Sequence, residues 1–365
     1  MKIAMIGSRG IPAKIGGVEK VVEDLARQLT NRGHEVAVYS RDYYVANSKP
    51  IEGIERIITK GISHKNLETL SYSFTAALDA IKRKDFDIIH IHSPAPAIWS
   101  KLLKKSNKPI VFTVHADDWN RKRWSLLGRS VLKFGLRAGM KNANAITAVS
   151  TDLAENLNSQ FNKPVKAISN MLIPKGKPAN AEFLKSHNLQ SERYFLHVGR
   201  LVAEKRLDLL LRAWANIKTD LRLIIAGEFY DSNYREMCQS LASENVKFLG
   251  PIFGAELDQL YANSLAVAQP SDLEGASLVC LEAANFQKCI VCSDIAANKI
   301  QLGKGAIYFQ ASDLSKLQSA IEQVISVPDK AQKIGKRAYD IINSQYSPDS
   351  IIEKYLKVYA QVLQK

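Results

Sequence analysis

Two carboxylates, Glu274 and Glu282, bracket a segment that passes from the loop residues Gly275 and Ala276 through Ser277 and Leu278 into an apolar helical run. The free backbone N–H groups of the first helical turn therefore lie between two acids. A helix start beside a glycine can hold phosphate or sugar oxygens, and a carboxylate there can accept paired hydroxyls from a sugar or ribose. Without a ligand, Glu274 is a helix-start acid favoured by the dipole and Glu282 a surface residue. The apolar neighbours Leu281 and Ala283 make an idle carboxylate at 282 a poor fit. A second group precedes these acids: His197-Val198-Gly199-Arg200 ends an apolar strand, and Lys205-Arg206 opens a helix. Gly199 lets backbone approach a ligand, Arg200 offers a planar fork and Lys205 a mobile point charge. Such a pair suits a diphosphate and could neutralise a leaving group without metal. Solvated cations at a strand end account for these two residues equally well.

The elements that must carry these residues follow one grammar, used twice. Lys2 to Gly7 reads as a strand, Ser8 to Gly17 as a loop, and Val18, Val21, Val22, Leu25, Ala26 and Leu29 as one helical face that Gly33 ends. His34 to Ser40, Ile88 to Ile91, Ile110 to Val114 and Ala145 to Val149 read as further strands with helices between them. Pro174, Gly176 and Pro178 punctuate a weakly apolar stretch, Asn170 to Asn180, which we read as a linker. Strands then recur at Tyr194 to Val198, Arg222 to Ala226, Val246 to Leu249, Leu265 to Gln269 and Cys289 to Ser293, with helices at Leu207 to Ile217, Ala255 to Asn263 and Ser277 to Phe286. The chain beyond Ser312 is mostly helical and ends in Ile351 to Leu363. Alternating strands and helices imply parallel sheets covered on both faces, with ligands beyond the carboxyl ends of the strands. The loops after Gly7, Val114, Val198 and Gln269 are therefore the expected functional ones.

Taken together, the Gly-Arg-Leu-(three residues)-Lys segment, the Glu-(seven residues)-Glu segment and the glycine-bearing first loop resemble the retaining glycosyltransferases of family 4, which have the GT-B fold. The opening Ile6-Gly-Ser-Arg-Gly-Ile-Pro-Ala-Lys-Ile-Gly-Gly-Val-Glu19 is similar to a bacterial, rhamnosyltransferase-like subgroup acting in surface polysaccharide assembly. The resemblance implies an α/β architecture of two facing Rossmann-like domains with the active site in a cleft that closes on the donor. Residues 1–174 would form an acceptor-binding domain, 175–346 a nucleotide-sugar-binding domain, and 347–365 a helix returning to the first. It further implies that Arg200 and Lys205 hold the donor diphosphate, that Glu282 accepts the ribose hydroxyls, and that Glu274 contacts the transferred sugar near Gly199 and the amides of Gly275, Ala276, Ser277 and Leu278. Gly16 and Gly17 would bring the first loop against the donor phosphate, and His115 matches the family's active-site histidine. No metal and no cofactor is implied beyond the nucleotide sugar co-substrate, and the acceptor is a glycan or a lipid-linked glycan. Departing phosphate oxygen is thought to take the acceptor proton, which spares a dedicated base. Two positions depart from the pattern: Ile168-Ser169-Asn170-Met171 replaces the usual Pro-Asn-Gly, and Arg206 stands where glycine is common and adds positive charge.

Other readings are weaker. Asp85-Phe86-Asp87 has the spacing of metal-binding carboxylates but sits at a helix-to-strand turn. His90 and His92 share one strand face, lack an evident third ligand, and read as core or pocket-wall histidines. Gly7 and Gly10 lack the full dinucleotide fingerprint, and Tyr39-Ser40-Arg41 stands where ribose recognition needs an acid, so an NAD-dependent dehydrogenase fits poorly. A donor-binding protein that has lost transfer fits the same motifs.

The net charge of +14 on 365 residues asks for an anionic partner. Much of it lies between Lys101 and Lys141. Lys101, Lys104, Lys105, Lys108, Arg121, Lys122, Arg123, Arg129, Lys133, Arg137 and Lys141 oppose only Asp117 and Asp118. Arg129, Lys133, Arg137 and Lys141 form one helical stripe, with Val131, Leu132, Phe134 and Leu136 on the other sides and Trp119 and Trp124 upstream. This suits an anionic membrane surface or, in a different class of function, a basic nucleic-acid- or membrane-binding protein without transferase activity. A solvated face whose apolar side packs on the sheet explains the stripe equally well, and no nucleic-acid recognition motif accompanies it. The apolar fraction of 46% is that of a globular protein, no apolar run is long enough to span a bilayer, and Arg9 and Lys14 interrupt any signal-like opening. The expected location is the cytoplasm, with peripheral attachment to the inner face of the cell membrane. Cys289 and Cys292 occupy opposite faces of one strand and read as small buried hydrophobes.

Overall fold

The computed structural model describes every residue except Ile15, Asn47, Ser63, Lys65, Asn66, 118–125, Lys177, Ala179 and Lys365. Trp119, Trp124, Arg121, Lys122, Arg123 and Asp118 thus lie outside the described residues. The chain divides into two compact units, Met1–Met171 with Pro348–Lys365, and Leu172–Ser347.

Unit one is built on seven parallel strands: β1 (Lys2–Ile6), β2 (Glu35–Arg41), β3 (Ile54–Thr59), β4 (Ile88–His92), β5 (Ile110–Val114), β6 (Ala145–Ala148) and β7 (Val165–Ala167). Their order across the sheet is β3-β2-β1-β4-β5-β6-β7. Every residue of β4 and β5 is buried, as expected when helices cover both faces. The helix Gly17–Thr30 buries Val21, Val22, Leu25, Ala26 and Leu29, the face its spacing predicted. Asp85 and Asp87 fasten the start of β1: the Asp85 carboxylate meets Lys2 Nζ at 2.6 Å, and Asp87 accepts the Lys2 backbone N–H at 2.7 Å. They serve as the turn they were read as, at the amino ends of the strands. The final helix, Pro348–Leu363, belongs to this unit; its Tyr359 hydroxyl lies 2.9 Å from His90 Nδ1 on β4.

Unit two repeats the plan with six parallel strands: β8 (Tyr194–Val198), β9 (Arg222–Ala226), β10 (Val246–Gly250), β11 (Ala266–Gln269), β12 (Cys289–Ser293) and β13 (Ile307–Phe309), in the order β10-β9-β8-β11-β12-β13. Alternate residues feed two apolar layers. Phe195, Leu223, Ile225, Ala268, Cys289 and Val291 pack into one, and Leu196, Ile224, Ala226, Val267, Ile290 and Cys292 into the other. Cys289 and Cys292 lie on opposite faces, and all four cysteines are free and buried.

In each sheet the chain starts in the middle, winds one way and then reverses. The reversal falls between β1 and β4 in unit one and between β8 and β11 in unit two. At such a switch point neighbouring strand-to-helix loops diverge and open a crevice at the carboxyl ends, where ligands of this architecture bind.

Candidate functional site

In unit two the switch point brings together the loops after β8 and β11. Gly199 ends β8 at φ 140°, a conformation in which a side chain is strained. Arg200 follows, partly buried, and Lys205 lies in a single 3-10 turn, Ala203–Lys205. From the other loop Glu274 reaches across, and its Oε1 pairs with Lys205 Nζ. The same oxygen accepts from Gln269 Nε2 at 2.8 Å. Both partners are sunk, with the Lys205 side chain 15% and that of Glu274 7% exposed. Burial alone would raise the Glu274 carboxyl, but the Lys205 ammonium and donors on Ser271 and Gln269 outweigh it and hold it below the ordinary carboxylate range. Lys205 keeps two further N–H donors for a ligand.

Ser277 caps the helix Leu278–Asn285, its Oγ accepting the Cys280 N–H at 3.3 Å. The Ser277 backbone N–H is already committed to Gln301 Oε1 at 3.1 Å, which leaves Gly275, Ala276 and Leu278 as the remaining amides of that stretch. Glu282 lies one turn on, partly buried, beside Tyr261, whose hydroxyl is pushed up first by burial and then by the Glu282 charge. Arg206 adds less positive charge than its sequence implies, because its guanidinium pairs with Asp272 at 2.9 Å and reaches Asp208 and Ser312. Sequence reading gave no role to Gln269 and left His197 a strand residue. His197 is fully buried, its Nδ1 donates to the Ala268 carbonyl at 2.9 Å, and burial pulls it down to about 4. Their signal was weak: polar side chains in two otherwise apolar strands.

In unit one the switch point holds the loops after β1, β4 and β5. Gly16, at φ 107°, precedes the helix that Gly17 opens. Two acids of that helix hold the first loop: Glu19 accepts the Arg9 N–H at 3.1 Å and Glu23 the Ala13 N–H at 2.6 Å. Glu19 closes the opening motif but had no role assigned to it there, and nothing in the sequence singled out Glu23. His115, just past β5, is partly exposed, and its Nε2 lies 3.0 Å from His92 Nδ1. His92 in turn stacks on His90 with ring centroids 4.1 Å apart, and His90 Nε2 meets Thr113 Oγ1 at 2.6 Å. The bonded path from His115 stops at His92, since His90 and His92 touch only face to face. Burial pulls His115 down to about 4 and His90 to about 3, and drives His92 well below its ordinary value. All three are neutral at pH 7. His92 Nε2 has no partner among the described residues. A proton there would be a buried orphan N–H, rarer and costlier than a bare acceptor. With the shared proton on His92 Nδ1, which leaves Nε2 a bare acceptor, His115 accepts at Nε2 and carries its own proton on Nδ1. Beside these loops lies a shallow recess of about 10 Å³, room for a single water, lined by Ser8, Tyr39, Arg41, Thr69 and Tyr72 among others. Among the described residues no group of three His, Cys, Asp or Glu side chains could hold a metal ion.

Two family models match: "Glycosyltransferase Family 4" over residues 15–173 and "Glycosyl transferases group 1" over residues 180–341. The chain belongs to the family 4, group 1 glycosyltransferases. An uncharacterized glycosyltransferase of Methanocaldococcus jannaschii is 26% identical, with 98% of each chain covered. Among solved structures, a sucrose-phosphate synthase from Thermosynechococcus elongatus superposes with a TM-score of 0.84 at 20% identity, covering 100% of this chain and 99% of that one. Anabaena HepE in complex with UDP-glucose superposes at 0.81 and 18% identity, covering 99% and 100%. The fold of this glycosyltransferase is GT-B, with a Rossmann-like parallel sheet in each unit.

Proposed function

We propose that this glycosyltransferase is a retaining enzyme that moves a hexosyl or deoxyhexosyl group, without a metal, from a nucleoside diphosphate sugar to a glycan or lipid-linked acceptor in surface polysaccharide or glycolipid synthesis. The observation that carries the reading is the sunken Lys205–Glu274 pair beside Gly199 and Arg200. Cleaving a sugar-phosphate bond builds negative charge on the phosphate and positive charge on the sugar ring. Fixed cations on one side and a carboxylate on the other stabilise that separation without reorganisation. Arg200 and the remaining donors of Lys205 take the diphosphate, and Glu274, kept ionised by Lys205, faces the sugar. Glu282 accepts the ribose hydroxyls, while the amides of Gly275, Ala276 and Leu278 supplement them. The UDP-glucose in the HepE structure supports a nucleoside diphosphate donor.

Unit two is then the donor-binding domain and unit one the acceptor-binding domain. In unit one we assign the transferred sugar to the neutral His115, and the approach of the first loop to the donor phosphate to Gly16 and Gly17. Thermal unfolding with UDP, GDP, dTDP and ADP forms beside NAD tests this. A ligand at about 100 times its dissociation constant adds about 2.7 kcal/mol. A shift with one diphosphate that Arg200→Ala abolishes is the expected result; a shift with NAD alone would overturn the reading.

A further inference from the structure

We propose that the exposed face of the helix Leu126–Asn142 docks unit one onto an anionic lipid bilayer. The proposal goes beyond transfer chemistry and does not depend on it. At 100° per residue, Leu126, Leu127, Ser130, Lys133, Phe134, Arg137 and Lys141 fall within one arc of about 120°, and all seven are exposed. Leu132, Gly135, Leu136, Gly139 and Met140 form the buried side. The apolar residues expected to flank the cationic stripe are thus divided: Leu132 and Leu136 pack inward, whereas Phe134 stays 61% exposed, with Leu126 at 81% and Leu127 at 76%.

The helix cannot roll to hide them. A Cβ on Gly135 would sit 2.1 Å from the Pro94 carbonyl oxygen, and one on Gly139 would sit 2.5 Å from the Phe112 ring. The seat is tight enough to admit only hydrogen at both positions. Exposed Lys101, Lys104 and Lys105 lie on the neighbouring short helices Ser100–Leu103 and Lys104–Ser106, the first of which packs against this one. Among the described residues from 94 to 144, the only carboxylate is Asp117.

Three large apolar side chains held in water beside a patch of one sign match an interfacial surface, where the apolar groups enter the acyl boundary and the cations meet anionic headgroups. Nucleic acid rewards the cations but leaves Leu126, Leu127 and Phe134 without a role. Among the described residues no helix is long and apolar enough to cross a membrane, so attachment through this face is peripheral.

Co-sedimentation of the full chain with phosphatidylcholine vesicles, with and without phosphatidylglycerol, tests the proposal, alongside retention of a single-stranded RNA. Expected are binding that requires phosphatidylglycerol and weakens from about 0.1 M to about 1 M salt, as the Debye length shrinks from about 10 to about 3 Å. The triple charge reversal Lys133→Glu, Arg137→Glu, Lys141→Glu should weaken it at least about tenfold. Leu127→Ser with Phe134→Ser should weaken it several-fold at unchanged charge. Circular dichroism of each variant confirms that it is folded. Equal binding to neutral vesicles, or RNA binding tighter than vesicle binding and indifferent to the apolar pair, would overturn it.

Discussion

The two units share a parallel sheet with the same central start and the same reversal, yet they equip the switch point with opposite electrostatics. Unit two sinks an ion pair there, Lys205 with Glu274, and keeps the carboxylate charged against the pull of burial. Unit one places three imidazoles there, His90 and His92 fully buried and His115 partly exposed, and desolvation keeps each of them uncharged. One fold can thus present fixed charge or neutral hydrogen-bonding groups at the same topological place, according to the side chains carried by the loops after β8 and β11 and by β4 and the residue that follows β5.

The sharpest way to break this contrast is to remove the charge that unit two protects. Glu274→Ala should lower kcat by about a thousandfold while nucleoside diphosphate affinity, measured by calorimetry, stays within a few-fold. Equal loss of both would move Glu274 from the sugar to the nucleotide. Next in size is Lys205→Met, which strands a buried carboxylate and should cost about 3 kcal/mol in urea unfolding. Adding Glu274→Gln should restore much of that loss, and a double variant no more stable than the single one would show that the pair is not coupled.

Acid should act on unit one through its histidines. Their folded pKa values lie below the ordinary 6.5, so the unfolded chain binds more protons as pH falls, and stability present above about 6.5 is lost as pH falls toward about 4 for His115 and about 3 for His90. Each histidine contributes a slope of up to about 1.4 kcal/mol per pH unit. His92→Asn should flatten that slope in a series of Tm values against pH, and an unchanged slope would remove His92 from the account. The smallest effect is expected at Arg206, whose charge is spent on Asp272 and Asp208: Arg206→Ala should change diphosphate affinity less than about twofold and stability by at most about 1 kcal/mol.

The longer strands were legible because their apolar runs are bounded by glycine, proline and polar turns, and most observed limits fall within a residue of those read. β3, β7 and β13 were not read. β7 and β13 are three residues long, too short for periodicity to register. In β3, Glu55 and Arg56 interrupt the apolar residues of an outer strand that buries little beyond Ile54 and Thr59. At the candidate site, residue types with unusual local context could be read: a carboxylate in an apolar helix, a glycine and cations after a strand. What Gln269, His92, Glu19 and Glu23 do depends on which strand or loop lies beside them, and no local pattern carries that information. Phe134 shows the same limit, since its spacing fits either side of the helix and only the close seat of Gly135 and Gly139 decides it.

The hydrogen bond between Tyr359 and His90 joins the last helix to the fourth strand, with all of unit two inserted between them in the chain. On the ribosome, unit one is therefore made first but finished last. Its central strands wait, with His90 Nδ1 lacking the Tyr359 hydroxyl, while unit two is synthesised. A chain that has lost Tyr355 and Tyr359 leaves the polar seam of His90 and Thr113 without its cover in the middle of the sheet.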